Sequence, residues 1–327
     1  MFAPHTVVHM RTNTEITRLL DEAQQHNLCA TSTDNNQRRK FARRVACGEL
    51  ITPHPRMYVR PEFWENLNPT QRKRAVVQTL AILHPNVVFA AESAMCMFDV
   101  EQPYDIHPEN EITVASTSHS GTHVIAKSGT IRHTVCMRNL PTVTIEGVVV
   151  TSFARTLFDC ARLLPFELAL PMADAAARKN FDVSVITQFP VSSVDEANKV
   201  ARVVSGTDAR SENGGESRAR AVMENGGFMR PHLQYTFPNP NNPDFPLRVD
   251  FIWILSDGTI IVAEYDGMAK YGATWTEVNT HVSKQYERDE YLKRCGVTTI
   301  VHFNFDDVIH PERLYQKLEA AGVPRIR

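Results

Sequence analysis

The chain has 327 residues, of which 43% are hydrophobic and 22% are charged, and its formal net charge is −2. These values fit a globular protein of two or three domains with an ample core. Because the chain as a whole carries no strong basic field, any binding of nucleic acid must come from local patches of positive charge.

The cysteines and the N-terminus limit the possible classes of protein further. The six cysteines lie far apart, and no two of them form a Cys-x-x-Cys pair. This spacing argues against a zinc ribbon and favours reduced thiols. The sequence has no apolar signal core at its N-terminus and no stretch as long as a membrane span. We therefore expect a cytoplasmic protein without a membrane partner.

Residues 1–66 have the pattern of a winged helix-turn-helix. The sequence predicts a helix over residues 15–26, a second helix over 37–47 that Gly48 ends, and a hairpin over 50–59. The second helix is amphipathic, with an apolar stripe of Phe41, Ala42, Val45 and Ala46. Its opposite arc is basic and is formed by Arg39, Lys40, Arg43 and Arg44.

We predict that this basic arc, together with Arg56 in the wing, binds the phosphates of double-stranded DNA. The alternative is a charged helix face that contacts only water, which is a common arrangement.

Residues 67–206 are predicted to form an α/β domain. The expected elements are a helix over 71–83, strands over 111–115, 131–135 and 143–150, and helices after Ser152 and over 165–178. Ser152 is expected to cap a helix in which Arg155 pairs with Asp159 one turn later, as a packing motif. The histidines have no metal-binding spacing and are expected on the surface or in loops: His107, His119, His123 and His133.

The segment from Arg248 to Gly267 places three carboxylates, Asp250, Glu264 and Asp266, in two apolar strands joined by a tight turn. A buried carboxylate either takes up a proton or needs a cation beside it. Three such groups close together predict a metal site, and they also predict that at least one of them has a raised pKa when no metal is bound.

The length of the turn decides whether two of these acids can meet. A two-residue loop at Asp257-Gly258 would aim Asp250 and Glu264 to opposite sides of the sheet, because side chains alternate along a strand. A three-residue loop, with Gly258 in the left-handed region, would pair Asp250 with Glu264 across the ladder. We predict the three-residue loop.

Paired carboxylates of this kind suit Mg²⁺ or Mn²⁺, which are held by one or two carboxylates together with water and substrate phosphate. The chemistry that such a site serves is metal-assisted hydrolysis of phosphodiesters. We therefore predict Asp250 and Glu264 as the metal ligands.

The hairpin, with an acid on one strand and Glu264-Tyr-Asp-Gly267 on the next, resembles the PD-(D/E)xK nucleases, and in particular their branch related to very-short-patch-repair (Vsr-like) endonucleases. The resemblance covers residues 207–327. It also rests on these residues: Gly215-Glu216-Ser217-Arg218, Pro231, Gln234, Lys270-Tyr271, Glu287-Arg288-Asp289, Leu292 and Gly296.

This resemblance implies a restriction-endonuclease-like α/β domain with a mixed sheet. It implies that Glu216 supports the site from a flanking helix, that Gln234 orients a water, and that Lys270 faces the phosphate. The lysine of the motif is replaced by Asp266, which can add only negative charge or bind metal. The alternative is a nuclease-like scaffold that no longer cuts DNA.

Lys284 and Arg288 lie four residues apart, so a helix would place them on one face. We predict that they border the acidic cleft and contact the DNA backbone. The alternative is a solvated face paired with Glu287 and Asp289.

Two further segments resemble AbiEi-like (type IV) antitoxins: Gly48-x-Leu50 followed by Tyr58-Val59, and Thr151-Ser152-x-x-Arg155-Thr156-Leu157-x-Asp159. In that family the winged helix binds operator DNA, so the resemblance implies double-stranded DNA as a partner and also a cognate toxin. The sequence thus predicts an α/β multidomain protein that is a metal-dependent DNA endonuclease or, alternatively, a non-catalytic DNA-binding regulator.

Overall fold

The computed structural model describes residues 13–117, 123–127, 130–136, 141–239, 246–267 and 275–326. The chain divides into two compact units. The first comprises residues 1–164 and 184–200, and the second comprises residues 165–183 and 201–327. The predicted boundary after residue 66 lies within the first unit, and the predicted boundary after residue 206 lies within the second.

The first unit combines short helices with a two-stranded and a six-stranded sheet. Its helices are α1 (Thr14–Gln25), α2 (Asn35–Ala46), α3 (Pro61–Glu65), α4 (Pro69–Leu83), α5 (Ala91–Met95) and α6 (Phe153–Leu163). Its strands are β1 (Ala30–Thr31), β2 (Met57–Tyr58), β3 (Val88–Phe89), β4 (Glu111–Ser116), β5 (His123–Lys127), β6 (Thr130–Cys136), β7 (Thr142–Ile145) and β8 (Val148–Thr151).

Helices α1 and α2 begin at side-chain caps, since Asn13 and Asp34 each accept a hydrogen bond from the backbone N–H three residues later. Both helices confirm the prediction. The predicted hairpin over residues 50–59 is also confirmed, because Ile51 pairs with Val59. The aromatic ring of Phe41 in α2 stacks on Tyr58 in β2 at 4.2 Å between ring centroids.

The first 66 residues have a small apolar cluster of their own, which includes Ile16 and Phe41, and they also share a second cluster with the residues that follow. Met57, Val59 and Trp64 pack in the same apolar cluster as Val77 of α4 and Val150 of β8. Burial of this shared apolar surface joins the predicted N-terminal and middle domains into one unit.

In the six-stranded sheet the strand order is β5-β6-β4-β3-β8-β7. The prediction of one strand over residues 143–150 is wrong. The chain turns at Glu146 and Gly147, which both have positive φ (49° and 80°), so that β7 and β8 form a hairpin. Two consecutive residues with positive φ are typical of the tight turns that join antiparallel strands.

Helix α6 confirms the predicted cap and ion pair. Ser152 accepts a hydrogen bond from the N–H of Arg155, and Nε of Arg155 lies 2.8 Å from the carboxylate of Asp159. Asp159 is fully buried and also pairs with Arg162 at 2.8 Å. Two arginines thus satisfy one buried carboxylate, which is the arrangement of a packing motif.

The second unit contains a four-stranded sheet in the order β12-β11-β10-β9. Its helices are α7 (Phe166–Arg178), α9 (Gly214–Asn225), α10 (Trp275–Arg294), α11 (Phe305–Ile309) and α12 (Pro311–Ala320), and the division between the units falls within α8 (Val194–Gly206). Its strands are β9 (His232–Phe237), β10 (Leu247–Ile254), β11 (Ile260–Asp266) and β12 (Thr299–Asn304).

This sheet is mixed, as predicted: β9, β10 and β11 are antiparallel neighbours, whereas β12 runs parallel to β11. One apolar cluster holds Phe251 and Ala263 of the sheet with Met223 of α9. Another holds Ile252 and Val262 with Leu292 of α10. Because side chains alternate along a strand, Asp250 and Glu264 share the sheet face of the cluster that includes α10.

A buried ion pair fixes α7 to α9 in the second unit. Arg220 and Asp174 are 1% and 0% exposed, and their side chains lie 2.6 Å apart. Arg220 also donates to the carbonyl of Gly206, and Asp174 accepts from the N–H of Asp208. These contacts fix the segment around Gly206 and Asp208, at the end of α8, to α7 and α9.

We expect Arg220→Ala to lower the free energy of unfolding by about 3–5 kcal/mol, because it leaves Asp174 as an uncompensated buried carboxylate. Arg230→Ala is the matched control, since Arg230 is half exposed and its pair with Glu224 is worth at most about 1 kcal/mol. Urea denaturation followed by circular dichroism compares the two, and equal effects would contradict the assignment.

Among the described residues, no helix is both long enough and apolar enough to cross a bilayer. The cysteines whose side chains are described are free thiols: Cys29, Cys47, Cys96, Cys160 and Cys295.

Candidate functional site

The hairpin of β10 and β11 has the predicted register. Ile254 pairs with Ile260 and Phe251 with Ala263, so the next step of the register brings Asp250 opposite Glu264. The three-residue loop is confirmed by the hydrogen bond from Leu255 N–H to the carbonyl of Thr259 and by a φ of +89° at Gly258.

Beside this pair, the carboxylates of Asp250 and Glu264, rather than backbone carbonyls, accept hydrogen bonds from backbone N–H groups of the two strands. The carboxylate of Asp250 accepts a hydrogen bond from the N–H of Tyr265 at 2.9 Å, and the carboxylate of Glu264 accepts from the N–H of Asp250 at 3.3 Å. Glu264 is only 8% exposed. The strands thus present two carboxylates side by side, one buried (Glu264) and one half-buried (Asp250).

Glu216 reaches this site from the first turn of α9. It is 5% exposed, and its carboxylate accepts hydrogen bonds from the N–H of Glu212 and from the side chain of Asn213. Gly215 allows this approach, because a Cβ there would lie 2.5 Å from the ring of Tyr265. Glu216 therefore holds the segment that precedes α9 and is also a neighbour of the acid pair.

Gln234 of β9 links Glu216 to the pair. Its Nε2 lies 3.0 Å from a carboxylate oxygen of Glu216 and 3.4 Å from one of Asp250. The backbone of Gln234 has a φ of +53°, a strained conformation for a side chain of this kind. Its Oε1 is buried and has no hydrogen-bond partner among the described residues.

Arg288 of α10 supplies the positive charge that faces the pair. Its guanidinium lies 2.7 Å from Oε1 of Glu264, and it also donates to the backbone carbonyl of Arg248. The prediction that Arg288 borders the acids is confirmed. The side chain of Lys284, also in α10, and Lys270 lie outside the described residues.

The pKa values of all three clustered acids are raised. Burial is the largest cause in each case, and it raises the pKa of Glu216 to about 7. Asp250 raises the pKa values of Glu216 and Glu264 further by repulsion, whereas Arg288 lowers that of Glu264. A raised pKa was predicted, but desolvation outweighs the mutual repulsion that motivated the prediction.

The raised pKa of Glu216 makes stability depend on pH. The folded protein holds the proton of Glu216 up to about pH 7, whereas the unfolded chain loses it near about pH 4.3. Stability is therefore highest below the unfolded value and falls as the pH rises through this window.

The glutamine in Glu216→Gln cannot ionise. We therefore expect the free energy of unfolding of this variant, relative to that of the wild type, to be about 1–3 kcal/mol higher at pH 8 than at pH 5. Melting temperatures at the two pH values measure this difference. Glu212→Gln controls for the loss of one acid from the same segment. A difference between Glu216→Gln and wild type that does not change with pH would contradict the assignment.

Asp266 lies beside a group that the sequence analysis did not identify. Its carboxylate is 3.7 Å from Nδ1 of His302, which is on β12 in parallel register with Glu264. Nε2 of His302 lies 3.0 Å from Asp289, and Gln285 donates to its Nδ1. The signal in the sequence was a single histidine within the apolar strand Thr299–Asn304.

The exposed face of α2 differs from the predicted arc. Arg44 was predicted on the surface but is only 4% exposed, and its guanidinium lies 3.4 Å from Glu49. It follows Phe41 by three residues and therefore lies on the buried side of the helix. Conversely, Ala42 and Ala46, assigned to the apolar stripe, are exposed.

The basic surface of the first unit is formed by Arg38, Arg39, Arg43 and Arg56, which we call the α2 basic face. All four side chains are exposed, and within the described parts of the chain none of them is in an ion pair. Arg38, which the sequence analysis missed, lines one shallow pocket together with Arg56. Lys40 is partly neutralised, since its ammonium lies 2.5 Å from Glu15.

Within the described ranges, no group of three or more His, Cys, Asp or Glu side chains is arranged to hold a metal ion. Comparison of the chain with family models, with curated proteins and with solved structures finds no match in any of the three.

Proposed function

We propose that this protein binds double-stranded DNA and that its second unit hydrolyses phosphodiester bonds with a divalent metal ion. The observation that carries the proposal is the placement of Asp250 and Glu264 across one hairpin, with Gln234 and Arg288 in contact with them. The predicted likeness to Vsr-like nucleases is part of the same proposal.

The residues at the site fit Mg²⁺ or Mn²⁺. Asp250 and Glu264 would hold the ion, and Gln234, whose Nε2 lies 3.4 Å from Asp250, would border it. Such ions accept a few protein oxygens and complete their coordination with water and substrate phosphate. When bound, the ion supplies a Lewis acid and an activated water.

The other polar groups have roles that their contacts suggest. Arg288 balances the charge of Glu264 and lies where a DNA phosphate would approach, while Glu216 positions Gln234. His302, held by Asp289, is a proton acceptor or donor on the same sheet face. Lys270 remains a predicted phosphate contact.

DNA binding is proposed for the α2 basic face. It carries four unpaired arginines on an exposed helix and an adjacent loop, interleaved with the small residues Ala42 and Ala46. Small side chains let a helix approach a groove closely, and arginines bind phosphate. This supports the predicted winged helix-turn-helix.

The proposal is tested with the full chain and supercoiled plasmid. We expect nicked plasmid with millimolar Mg²⁺ or Mn²⁺, none with a chelator, and a metal-dependent rise in melting temperature, because the ion relieves the repulsion between the acids. Intact plasmid together with an unchanged melting temperature would refute the nuclease activity.

The second candidate is a non-catalytic DNA-binding regulator of the type IV toxin-antitoxin kind, with a cognate toxin as a partner. The ion pair between Arg288 and Glu264 favours it, because it already satisfies one acid without metal. Tight binding of DNA without nicking, under the conditions just described, would decide for the regulator.

A further inference from the structure

His302 of β12 lies beside the acid pair and is held from two sides. It is in parallel register with Glu264, and neighbouring strands are about 4.8 Å apart, so the two side chains leave the sheet side by side on one face. Nε2 of His302 lies 3.0 Å from the carboxylate of Asp289, and Nδ1 lies 2.8 Å from Nε2 of Gln285. The side chain of His302 is 27% exposed, so part of the ring is open to a ligand.

One face of α10 supplies the partners of both strands. Gln285, Arg288 and Asp289 are three and four residues apart, so they lie on the same side of the helix. Gln285 and Asp289 contact His302, whereas Arg288 contacts Glu264. The helix thus fixes the ring and the acid pair relative to each other.

Each ring nitrogen of His302 has an acceptor for a proton. Asp289 accepts from Nε2, and the carboxylate of Asp266 lies 3.7 Å from Nδ1. The amide of Gln285 donates to Nδ1 of a neutral ring, and once the amide has turned over it accepts from Nδ1–H of a protonated ring. The side chain of Asp266 is 45% exposed, so the proton on Nδ1 lies on the open side of the cluster.

The proposed hydrolysis needs a proton at the oxygen that leaves. A sugar alkoxide is a poor leaving group unless it is protonated or bound by a second metal ion. Asp250 and Glu264 offer ligands for one ion rather than two. The lysine of the nuclease motif, a further source of positive charge, is replaced by Asp266. The leaving oxygen therefore depends on a proton donor elsewhere in the site.

The other proton-bearing groups around the acid pair are unsuited to this task. Arg288 does not give up its proton in proteins. Burial raises the pKa of Glu216 to about 7, but the residue is 5% exposed, and its carboxylate is engaged by the N–H of Glu212 and by Gln234. Tyr265 packs in the cluster on the opposite sheet face. Within the described ranges, His302 is the group that remains.

We propose that His302 is the general acid of this hydrolysis, a role that rests on the proposed nuclease function. A water oxygen forms a bond to phosphorus, and the bond between phosphorus and the sugar oxygen breaks. The electron pair of the broken bond takes the Nδ1 proton of His302, while Asp289 keeps Nε2–H in place. The water releases one proton to the solvent and the ring takes one up again, so atoms and charge balance.

Nicking of plasmid by His302→Gln, in the full chain with Mg²⁺ or Mn²⁺, is the first test. We expect the rate to fall about 100- to 10,000-fold, the contribution of a general acid. His310→Gln is the matched control. His310 is an exposed histidine that also pairs with an aspartate, Asp306, and it follows α11, which packs on the opposite sheet face. It is expected to leave the rate of nicking unchanged.

A substrate that needs no proton at its leaving atom separates proton donation from a structural role. The ends of the nicked strands show which sugar oxygen leaves, and a short duplex is made with sulfur in its place. Because a thiolate leaves as an anion, His302→Gln is expected to cleave the sulfur linkage at close to the wild-type rate. Glu264→Gln, which lacks a metal ligand, is expected to lose cleavage of both linkages.

NMR of the metal-free protein with ¹⁵N-labelled histidines gives a readout that does not depend on cleavage. Added duplex DNA is expected to shift the Nδ1 resonance of His302 and to shift Nε2 less, since Nε2 stays with Asp289. Wild-type nicking by His302→Gln, an equal loss on the sulfur linkage, or an unmoved Nδ1 resonance would overturn the role of His302. A wild type that cleaves neither linkage would refute the nuclease activity itself.

Discussion

Asp250→Asn and Glu264→Gln are each expected to lower Mg²⁺-dependent nicking of plasmid about a thousandfold or more. The reason is that the ion and the water that it activates both depend on these two carboxylates. The rate is measured as the conversion of supercoiled to open-circular plasmid at a fixed metal concentration.

The control for this experiment is Asp257→Asn. Asp257 is an exposed acid in the turn of the same hairpin, where it accepts a hydrogen bond from the N–H of Thr259. The Asp257→Asn variant is expected to nick plasmid at the same rate as the wild type. Retained nicking in the Asp250 and Glu264 variants would place the active metal elsewhere and contradict the proposed site.

The two variants are expected to differ in stability without metal. Asp250→Asn removes a carboxylate whose pKa is raised by burial, so it should leave the melting temperature unchanged or raise it. Glu264→Gln also removes the partner of Arg288, so its melting temperature should be lower than that of Asp250→Asn. Repulsion between the two acids alone would give both variants the same effect, and the contact of Arg288 with Glu264 makes them differ.

The double variant Arg39→Ala/Arg43→Ala is expected to weaken binding of double-stranded DNA about 10- to 100-fold at low salt. It should also reduce the slope of log K against log salt by about 2, since two phosphate contacts are lost. Fluorescence anisotropy with a labelled duplex over a salt series measures both quantities.

Arg44→Ala is the informative control for that experiment, because Arg44 lies on the same helix but is buried. We expect it to lower the melting temperature without changing the salt slope. If Arg39→Ala/Arg43→Ala binds with an unchanged affinity and slope, the α2 basic face is a solvated surface and does not contact DNA.

Local sequence patterns were sufficient to predict the hairpin that holds Asp250 and Glu264. Alternating apolar residues fix the strands, and Gly258 at a positive φ fixes the loop, so the register follows from neighbours in the chain. The caps of α2 and α6 and the pair between Arg155 and Asp159 were predictable for the same reason. Each of these features depends on residues at most about fifteen positions apart.

Contacts between distant segments were decided only by the tertiary structure. Arg288 reaches Glu264 across 24 residues, and His302 aligns with Glu264 because β12 pairs in parallel with β11. Arg44 is buried because the side of α2 that holds Phe41 faces α1 and the hairpin. The sequence pattern does not specify this side, because alanines lie on both flanks of the apolar stripe. Burial also raised the pKa values of the acids, because desolvation depends on everything that packs around a group.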